Sequence, residues 1–136
     1  MTKLSTLEAN LSNWAPHALA LLRIVTVFLF IVHATMKFFD FPAPLPGVTG
    51  SLPTIILAAG VIEIVTGVMM LLGFKTRIAA FVASGEMAGA YFMAHAPQSF
   101  WPVLNGGEPA VLFCFIFFYL IFAGGGAWAL DNRTAK

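Results

Sequence analysis

Charge and cysteine are both scarce in this sequence, and each scarcity excludes a class of protein. Only 10% of the 136 residues are charged, against about 25% in an average soluble domain. The formal net charge is +1, so no nucleic-acid partner is predicted. A single cysteine, Cys114, excludes a disulfide framework and a Cys-based zinc or iron–sulfur site within one chain. The first 17 residues lack the apolar core of a signal peptide, so we expect the N-terminus to be retained.

Apolar residues dominate instead. They make up 60% of the chain, which includes 14 phenylalanines, and the mean hydropathy is +0.90. A chain this short exposes much of its surface when it folds, so a soluble core could not hide this apolar content. The sequence therefore predicts an integral membrane protein whose main partner is the lipid bilayer.

Four apolar stretches are long enough to cross a bilayer, which takes about 20 helical residues. They predict helices over residues 17–39, 52–72, 77–95 and 109–128. Prolines and glycines separate the first two stretches, and Gly73 suits the end of the second helix. The fold class predicted is all-α: a membrane four-helix bundle that forms one domain over residues 1–136.

Two further features complete the predicted topology. Leucines and a tryptophan at helical spacing predict a short amphipathic helix over residues 5–14, lying in the membrane interface. Most basic residues fall on one side of the predicted spans: Lys3, Lys75, Arg77, Arg133 and Lys136. Because such residues collect in cytoplasmic loops, we expect both termini to face the cytoplasm.

A buried polar set follows from charges placed inside the predicted spans. Arg23, His33 and Lys37 share one stripe of the first helix, while Glu63 and Glu86 lie near the middle of the second and third. Arg23 either extends its charge to the membrane surface or pairs with one of the two carboxylates. Glu63 and Glu86 either bond neighbouring helices or take part in proton or ligand binding.

A second polar group is predicted at the opposite end of the spans, where Lys37, Asp40, His95 and Glu108 all lie at helix ends. Three interpretations stay open. Glu108 could simply complement the dipole of the fourth helix. His33, His95 and Glu108 could hold a metal, although their spacing matches no metal motif. His95 and Lys37 could instead bond the headgroup of a flat amphipathic ligand such as quinone, beneath a lid that includes Trp101.

Several segments resemble the DoxX family of small bacterial membrane proteins. They are GVIEIVTGVMMLLGFKTRIAA (60–80), YFMAHAPQSFWPVLNGGEPAVLF (91–113) and the terminal GGGAWALD (124–131). The segment LLRIVTVFLFIVHATMKFF (21–39) matches the family's opening pattern of Leu-Arg, then His, then Lys-Phe. The positions that match the family pattern are Arg23, His33, Lys37, Glu63, Glu86, His95, Trp101, Pro102, Gly107 and Glu108.

The resemblance implies a four-helix bundle in the bacterial inner membrane, with cytoplasmic termini. It also implies a link to quinones, because the family name comes from a subunit associated with a terminal quinol oxidase. We therefore expect a redox-associated membrane subunit that binds quinone without a covalent bond and works with a partner oxidoreductase. It would be at most one subunit of an enzyme. The predicted cofactor-binding residues are Arg23, His33, Lys37, Glu63, Glu86, His95, Trp101 and Glu108, with no metal site among the predictions.

The alternative hypothesis belongs to another class, a small transporter or membrane scaffold. Its buried charges would then line a solute or proton path, or would only hold the helices together. A path would favour a homo-oligomer, because four spans this short rarely enclose one alone.

Overall fold

The computed structural model describes residues 3–134, which form helices and turns with no β-strand among them. The helices are α1 (Lys3–Phe39), α2 (Thr54–Leu72), α3 (Thr76–Ala90), α4 (Pro102–Asn105), α5 (Glu108–Ala123) and α6 (Asp131–Thr134). A π-helical turn, Tyr91–His95, continues α3. Helix α1 packs against α2, α2 against α3 and α3 against α5, while α5 returns to contact α1.

Two of these helices are long and apolar enough to cross a membrane, judged by length and composition. They are α1, with 37 residues, and α2, with 19. Helix α5 is also strongly apolar but has 16 residues. Large apolar side chains cover the outside of the protein, and Phe28, Phe81 and Phe115 are each more than 60% exposed. An exposed apolar surface of this kind fits lipid better than water.

The predicted separate helix over residues 5–14 is wrong, because α1 runs unbroken from Lys3 to Phe39 through Pro16. Proline removes one backbone donor from a helix, yet good helix formers such as Ala15, Ala18 and Leu19 lie close to it and no glycine interrupts them. The carbonyl of Pro16 accepts a hydrogen bond of 2.8 Å from the backbone N–H of Ala127. The predicted apolar stripe persists as exposed side chains on α1, at Leu4, Leu7, Leu11 and Trp14.

The last predicted helix also ends earlier than expected, at Ala123 instead of residue 128. Gly124 and Gly126 have φ angles of 76° and 71°, a conformation that favours glycine and ends the helix. At Gly126 a side chain would also collide with the carbonyl oxygen of Pro16, 2.6 Å from the ideal Cβ position. The glycine run therefore turns the chain back toward α1. The predicted end of the second helix at Gly73 is confirmed, with a φ of 67° there.

The protein has two ends, and each is named here after the turn that lies there. At the proline-loop end, residues 40–53 join α1 to α2; at the α2–α3 end, residues 73–75 join α2 to α3. The C-terminal segment folds onto the α2–α3 end. There the carboxylate of Asp131 accepts backbone hydrogen bonds from Lys75 (2.6 Å) and Thr76 (2.9 Å), which cap α3.

Asp131 is held in its charged form by these contacts. Partial burial opposes its ionisation, but hydrogen bonds from Thr76 and Lys75, together with the positive charge of Arg23, lower its pKa overall. A second cap lies nearby, where the Nη1 atom of Arg77 donates to the carbonyls of Ile121 and Phe122 at the end of α5. Side chains thus supply partners for helix ends that have none of their own.

Helices α1 and α2 approach closely because α2 carries glycines on the shared face. A side chain at Gly67 would place its Cβ 2.5 Å from Cγ1 of Ile31, and one at Gly60 would lie 2.7 Å from the Phe38 ring. Small residues at a helix contact let backbones approach, which is how helices pack in membranes. The core beside this contact is aromatic, with the buried rings of Phe30 and Phe117 only 4.8 Å apart between centroids.

Gly67→Ala should destabilise the protein by about 1–3 kcal/mol, because Ile31 must move to admit the added methyl group. The measurement is thermal unfolding of the purified protein in detergent. Gly85→Ala is the matched control, since nothing lies within 4 Å of the added Cβ there. Equal melting temperatures for the two variants would contradict the close α1–α2 contact.

Asp131→Asn should change how stability depends on pH. A carboxylate with a lowered pKa in the folded state stabilises the protein above its unfolded pKa of about 3.9. That stability is lost as the pH falls through the folded value. The melting temperature of Asp131→Asn should therefore lie below wild type at pH 7, and the gap should close below about pH 4. Glu8→Gln, at an exposed carboxylate of α1, is the control. A gap independent of pH would refute the prediction.

Candidate functional site

A buried ion pair between Lys37 and Glu63 is the centre of the candidate site. The Lys37 ammonium lies 2.5 Å from both Glu63 carboxylate oxygens, and the two side chains are only 10% and 2% exposed. Lys37 comes from the last turn of α1 and Glu63 from the middle of α2. Gly60, one turn before Glu63, leaves room for the lysine stem, because a Cβ there would lie 3.2 Å from Lys37 Cδ.

Two more ionisable side chains adjoin this pair. His33 lies one turn before Lys37 on α1, and its Nδ1 atom is 3.1 Å from the Leu29 carbonyl oxygen. It is close enough to Glu63 to interact with that carboxylate electrostatically. Glu86, on α3, interacts electrostatically with both Glu63 and Lys37. Its Oε2 atom is buried and has no hydrogen-bond partner in the described part of the chain. Three helices thus bring one cluster together: His33, Lys37, Glu63 and Glu86.

A cavity of about 290 Å³ opens beside this cluster at the proline-loop end. Its wall includes Lys37 and Asp40, while Met36, Leu45 and Leu57 supply apolar surface. The cavity therefore adjoins Lys37, one member of the buried pair. A mixture of apolar walls with a few polar groups is typical of small-molecule sites.

Arg23 does not take part in this cluster, contrary to both predicted roles. Its guanidinium is fully buried and donates to three carbonyls, those of Gly125 (2.8 Å), Met70 (2.5 Å) and Leu71 (2.7 Å). The last carbonyls of α2 have no donor within their own helix, so a buried guanidinium can supply several at once. Arg23 therefore neither reaches the membrane surface nor pairs with Glu63 or Glu86.

His95 belongs to a local network of the loop that follows α3. Its Nδ1 atom is 3.0 Å from the carbonyl oxygen of Asn105, and its ring stacks on Tyr91. The buried Asn105 side chain donates to the Ser99 carbonyl (2.6 Å) and accepts from the Gly107 N–H (2.7 Å). Sequence reasoning missed Asn105, because an asparagine between turn residues gives no sign that it will be buried.

The residues predicted to form one outer pocket therefore lie in two separate sets of contacts. The described contacts join Lys37 to Glu63 and His95 to Asn105, and they do not join Lys37 to His95. Glu108 lies exposed in the first turn of α5, where its charge complements the helix dipole. Trp101 is 63% exposed and meets Phe100 edge to face. The three-ligand metal alternative is not formed, because no group of three or more potential ligands gathers within residues 3–134.

The fold and its exposed apolar surface define a helical membrane protein with a buried, ion-paired site. The DoxX family model matches residues 18–96. An uncharacterized protein of Haemophilus influenzae is 47% identical over 131 residues, covering 93% of this chain and 98% of that protein. An uncharacterized membrane protein of Mycobacterium tuberculosis is 30% identical over 87 residues, which cover 57% of this chain and 53% of that protein. No solved structure matches significantly. The chain belongs to the DoxX family of membrane proteins.

Removing one member of the buried pair should cost far more than removing both. Lys37→Met should destabilise the protein by about 3–5 kcal/mol, because it leaves the Glu63 charge buried without a partner. The double variant Lys37→Met/Glu63→Met should recover most of that loss. Unfolding of Lys37→Met, Glu63→Met and the double variant in detergent, each compared with wild type, completes a double-mutant cycle.

Lys75→Met is the control for this cycle, because Lys75 is exposed and lies at the other end of the protein. It should change stability by no more than about 0.5 kcal/mol. If the double variant is less stable than Lys37→Met alone, the pair contributes more than the cost of an unpaired charge, and the prediction is wrong.

Proposed function

We propose that this DoxX protein is a membrane subunit that binds quinone or quinol and exchanges protons or reducing equivalents with a partner oxidoreductase. One observation carries the proposal: the wall of the cavity at the proline-loop end includes Lys37, whose ammonium is paired with a buried carboxylate. In this proposal the ligand headgroup occupies that cavity, with Lys37 as its main polar contact.

The chemistry of Lys37 suits a quinone oxygen. An ammonium group has three N–H donors, and the oxygens of Glu63 take two of them. The third donor can bond a carbonyl oxygen that enters the cavity. Met36, Leu45 and Leu57 offer apolar contact to a flat ring. A volume of about 290 Å³ lies at the small end of the range for ligand pockets, so the cavity suits a headgroup whose tail lies among lipids.

Glu63 and Glu86 are proposed as the groups that exchange protons with this ligand. Reduction of a quinone consumes protons as well as electrons, and proton relays in membranes are built from carboxylates and histidines. Within residues 3–134, one carboxylate oxygen of Glu86 has no hydrogen-bond partner, while His33 lies on the same face of α1 as Lys37. The electrons are assigned to a partner protein, because one cysteine cannot hold an iron–sulfur cluster.

The proposal includes a topology in which α1, α2, α3 and α5 all cross the bacterial inner membrane. Helix α3 and its π-helical turn together cover residues 76–95, and α5 is about 24 Å long at 1.5 Å per residue. Lys75, Arg77 and Arg133 all lie at the α2–α3 end, which we therefore assign to the cytoplasm. Lys136, counted in the same prediction, lies outside the described residues.

Mass spectrometry of organic extracts from the purified protein tests this function. Wild type should carry quinone in proportion to protein, and Lys37→Met/Glu63→Met should lose it, because the cavity then lacks its donor. His95→Ala/Glu108→Ala should retain it, since those side chains lie outside the cavity wall. Glu86→Gln should also keep the ligand but slow quinol-linked turnover in membranes that contain the partner.

The two double variants separate the two placements of the site. If His95→Ala/Glu108→Ala loses quinone and Lys37→Met/Glu63→Met keeps it, the site lies at the loop after α3 instead. Quinone at background membrane levels in wild type would reject the function and favour a transporter or scaffold with a structural charge network. Melting temperatures of every variant, measured in the same detergent, exclude loss of fold as the cause.

A further inference from the structure

A second cavity, of about 350 Å³, lies at the α2–α3 end of the protein. Its wall includes Arg77, at the start of α3, and the glycine loop after α5, residues 124–126. Asp131 is the other charged residue among the described residues of this wall. The proposed quinone site lies at the opposite end and makes no use of this cavity.

One edge of the Arg77 guanidinium has no protein partner in the described part of the chain. Its bonds to the carbonyls of Ile121 and Phe122 both leave from Nη1, while Nε and Nη2 donate to no acceptor within residues 3–134. Nε and Nη2 share one edge of the planar group, and such an edge binds two oxygens of one phosphate in parallel. Arg77 is therefore a cation held in place by α5, with the donor geometry that a phosphate requires.

The glycine loop adds backbone donors next to this edge. A Cβ at Gly124 would lie 3.3 Å from Nη2 and 3.6 Å from Nε of Arg77, so the loop runs directly against the guanidinium. Gly125, the next residue, is buried, yet its N–H donates to no acceptor among residues 3–134, and neither does that of Gly126. A buried N–H without an acceptor is rare in folded proteins. Successive free N–H groups beside an arginine are typical of anion sites.

Asp131 does not prevent an anion from binding here, because its charge already has partners. The N–H groups of Lys75 and Thr76 bond its oxygens at 2.6 Å and 2.9 Å, and the carboxylate also faces the positive charge of Arg23. No part of the site depends on this carboxylate. Among the described wall residues, Arg77 is the one cation that a ligand can meet.

Tryptophans mark this end as a membrane boundary. Trp14 and Trp128 are 67% and 68% exposed, and the ring of His17 lies between them. Exposed tryptophan is typical of the level of the lipid headgroups. Pro16, two residues after Trp14 on α1, is part of the cavity wall. The cavity therefore lies at the level where lipid phosphates meet water.

We propose that Arg77 and the N–H groups of Gly125 and Gly126 bind a phosphate group in this cavity, carried by a lipid headgroup or by a small soluble phosphate. In both cases Nε and Nη2 of Arg77 bond two phosphate oxygens, and the glycine N–H groups bond a third. A neutral lipid such as diacylglycerol has hydroxyl and ester oxygens but no negative charge for the arginine, so it does not bind.

NMR of the full chain in detergent, with ¹⁵N-labelled glycine, tests these contacts in the wild-type protein. Phosphatidylglycerol, glycerol phosphate and diacylglycerol are titrated separately, the two lipids with identical acyl chains. The amide signals of Gly125 and Gly126 should shift with at least one phosphate compound and stay fixed with diacylglycerol. Gly47 and Gly106 lie outside the cavity wall, and their signals should stay fixed in all three titrations.

The same titration of two arginine variants tests the role of the guanidinium. Arg77→Gln should weaken binding of the phosphate compound about tenfold, the effect of losing one charge-assisted hydrogen bond. Arg133→Gln is the matched control, because Arg133 is exposed and lies outside the cavity wall. It should change the affinity by less than about twofold, since solvent and salt screen an exposed charge.

The titrations also identify which molecule carries the phosphate. Shifts at a lower concentration of phosphatidylglycerol than of glycerol phosphate would identify a lipid headgroup, and the reverse order would identify a soluble phosphate; both support the site. Fixed Gly125 and Gly126 signals with both phosphate compounds, or equal shifts with diacylglycerol, would overturn it. Equal weakening by Arg133→Gln and Arg77→Gln would do the same, because it indicates general surface charge. If Arg77→Gln does not fold, the wild-type glycine signals decide alone.

Discussion

The guanidinium of Arg23 is the contact on which the arrangement of the helices depends. It is fully buried and bonds carbonyls from the end of α2 and from the glycine loop, so it ties three parts of the chain together. Away from water, backbone carbonyls without a donor are costly, and one arginine satisfies several. This contact fixes the depth and rotation of α1. His33 and Lys37 follow on the same face of α1, so their positions against α2 depend on it.

The Lys37–Glu63 pair is harder to explain by stability alone. Burying two charges costs several kcal/mol per ion, and apolar residues of similar size are often equally stable or better. The surrounding helices offer ample apolar material for such a replacement, as the packing of Phe30 against Phe117 illustrates. A pair retained beside a cavity therefore has a better physical reason in ligand or proton binding. The buried pair therefore favours a site at Lys37 over one at His95, whose contacts are those of an ordered loop.

The sequence predicted those features that follow from composition and from strong local signals. Apolar content predicted a membrane protein, and the left-handed Gly73 marked the end of α2. The separate helix predicted over residues 5–14 does not form, because α1 continues through Pro16. The carbonyl partners of Arg23 could not be foreseen either, since a search for opposite charges ignores backbone acceptors. Asn105 had no signal, because its burial depends on how the loop closes over it.

The two ends of the protein differ in what their charges do. At the α2–α3 end, Arg23, Arg77 and Asp131 each satisfy backbone groups at a helix terminus, so the fold itself accounts for their presence. At the proline-loop end, Lys37 and Glu63 bond each other and satisfy no helix terminus. Burial makes these two charges costly, and they do not bond the backbone of a helix end, so their presence requires another explanation. The cavity at Lys37 provides one, because a ligand there would meet a donor already oriented by its carboxylate.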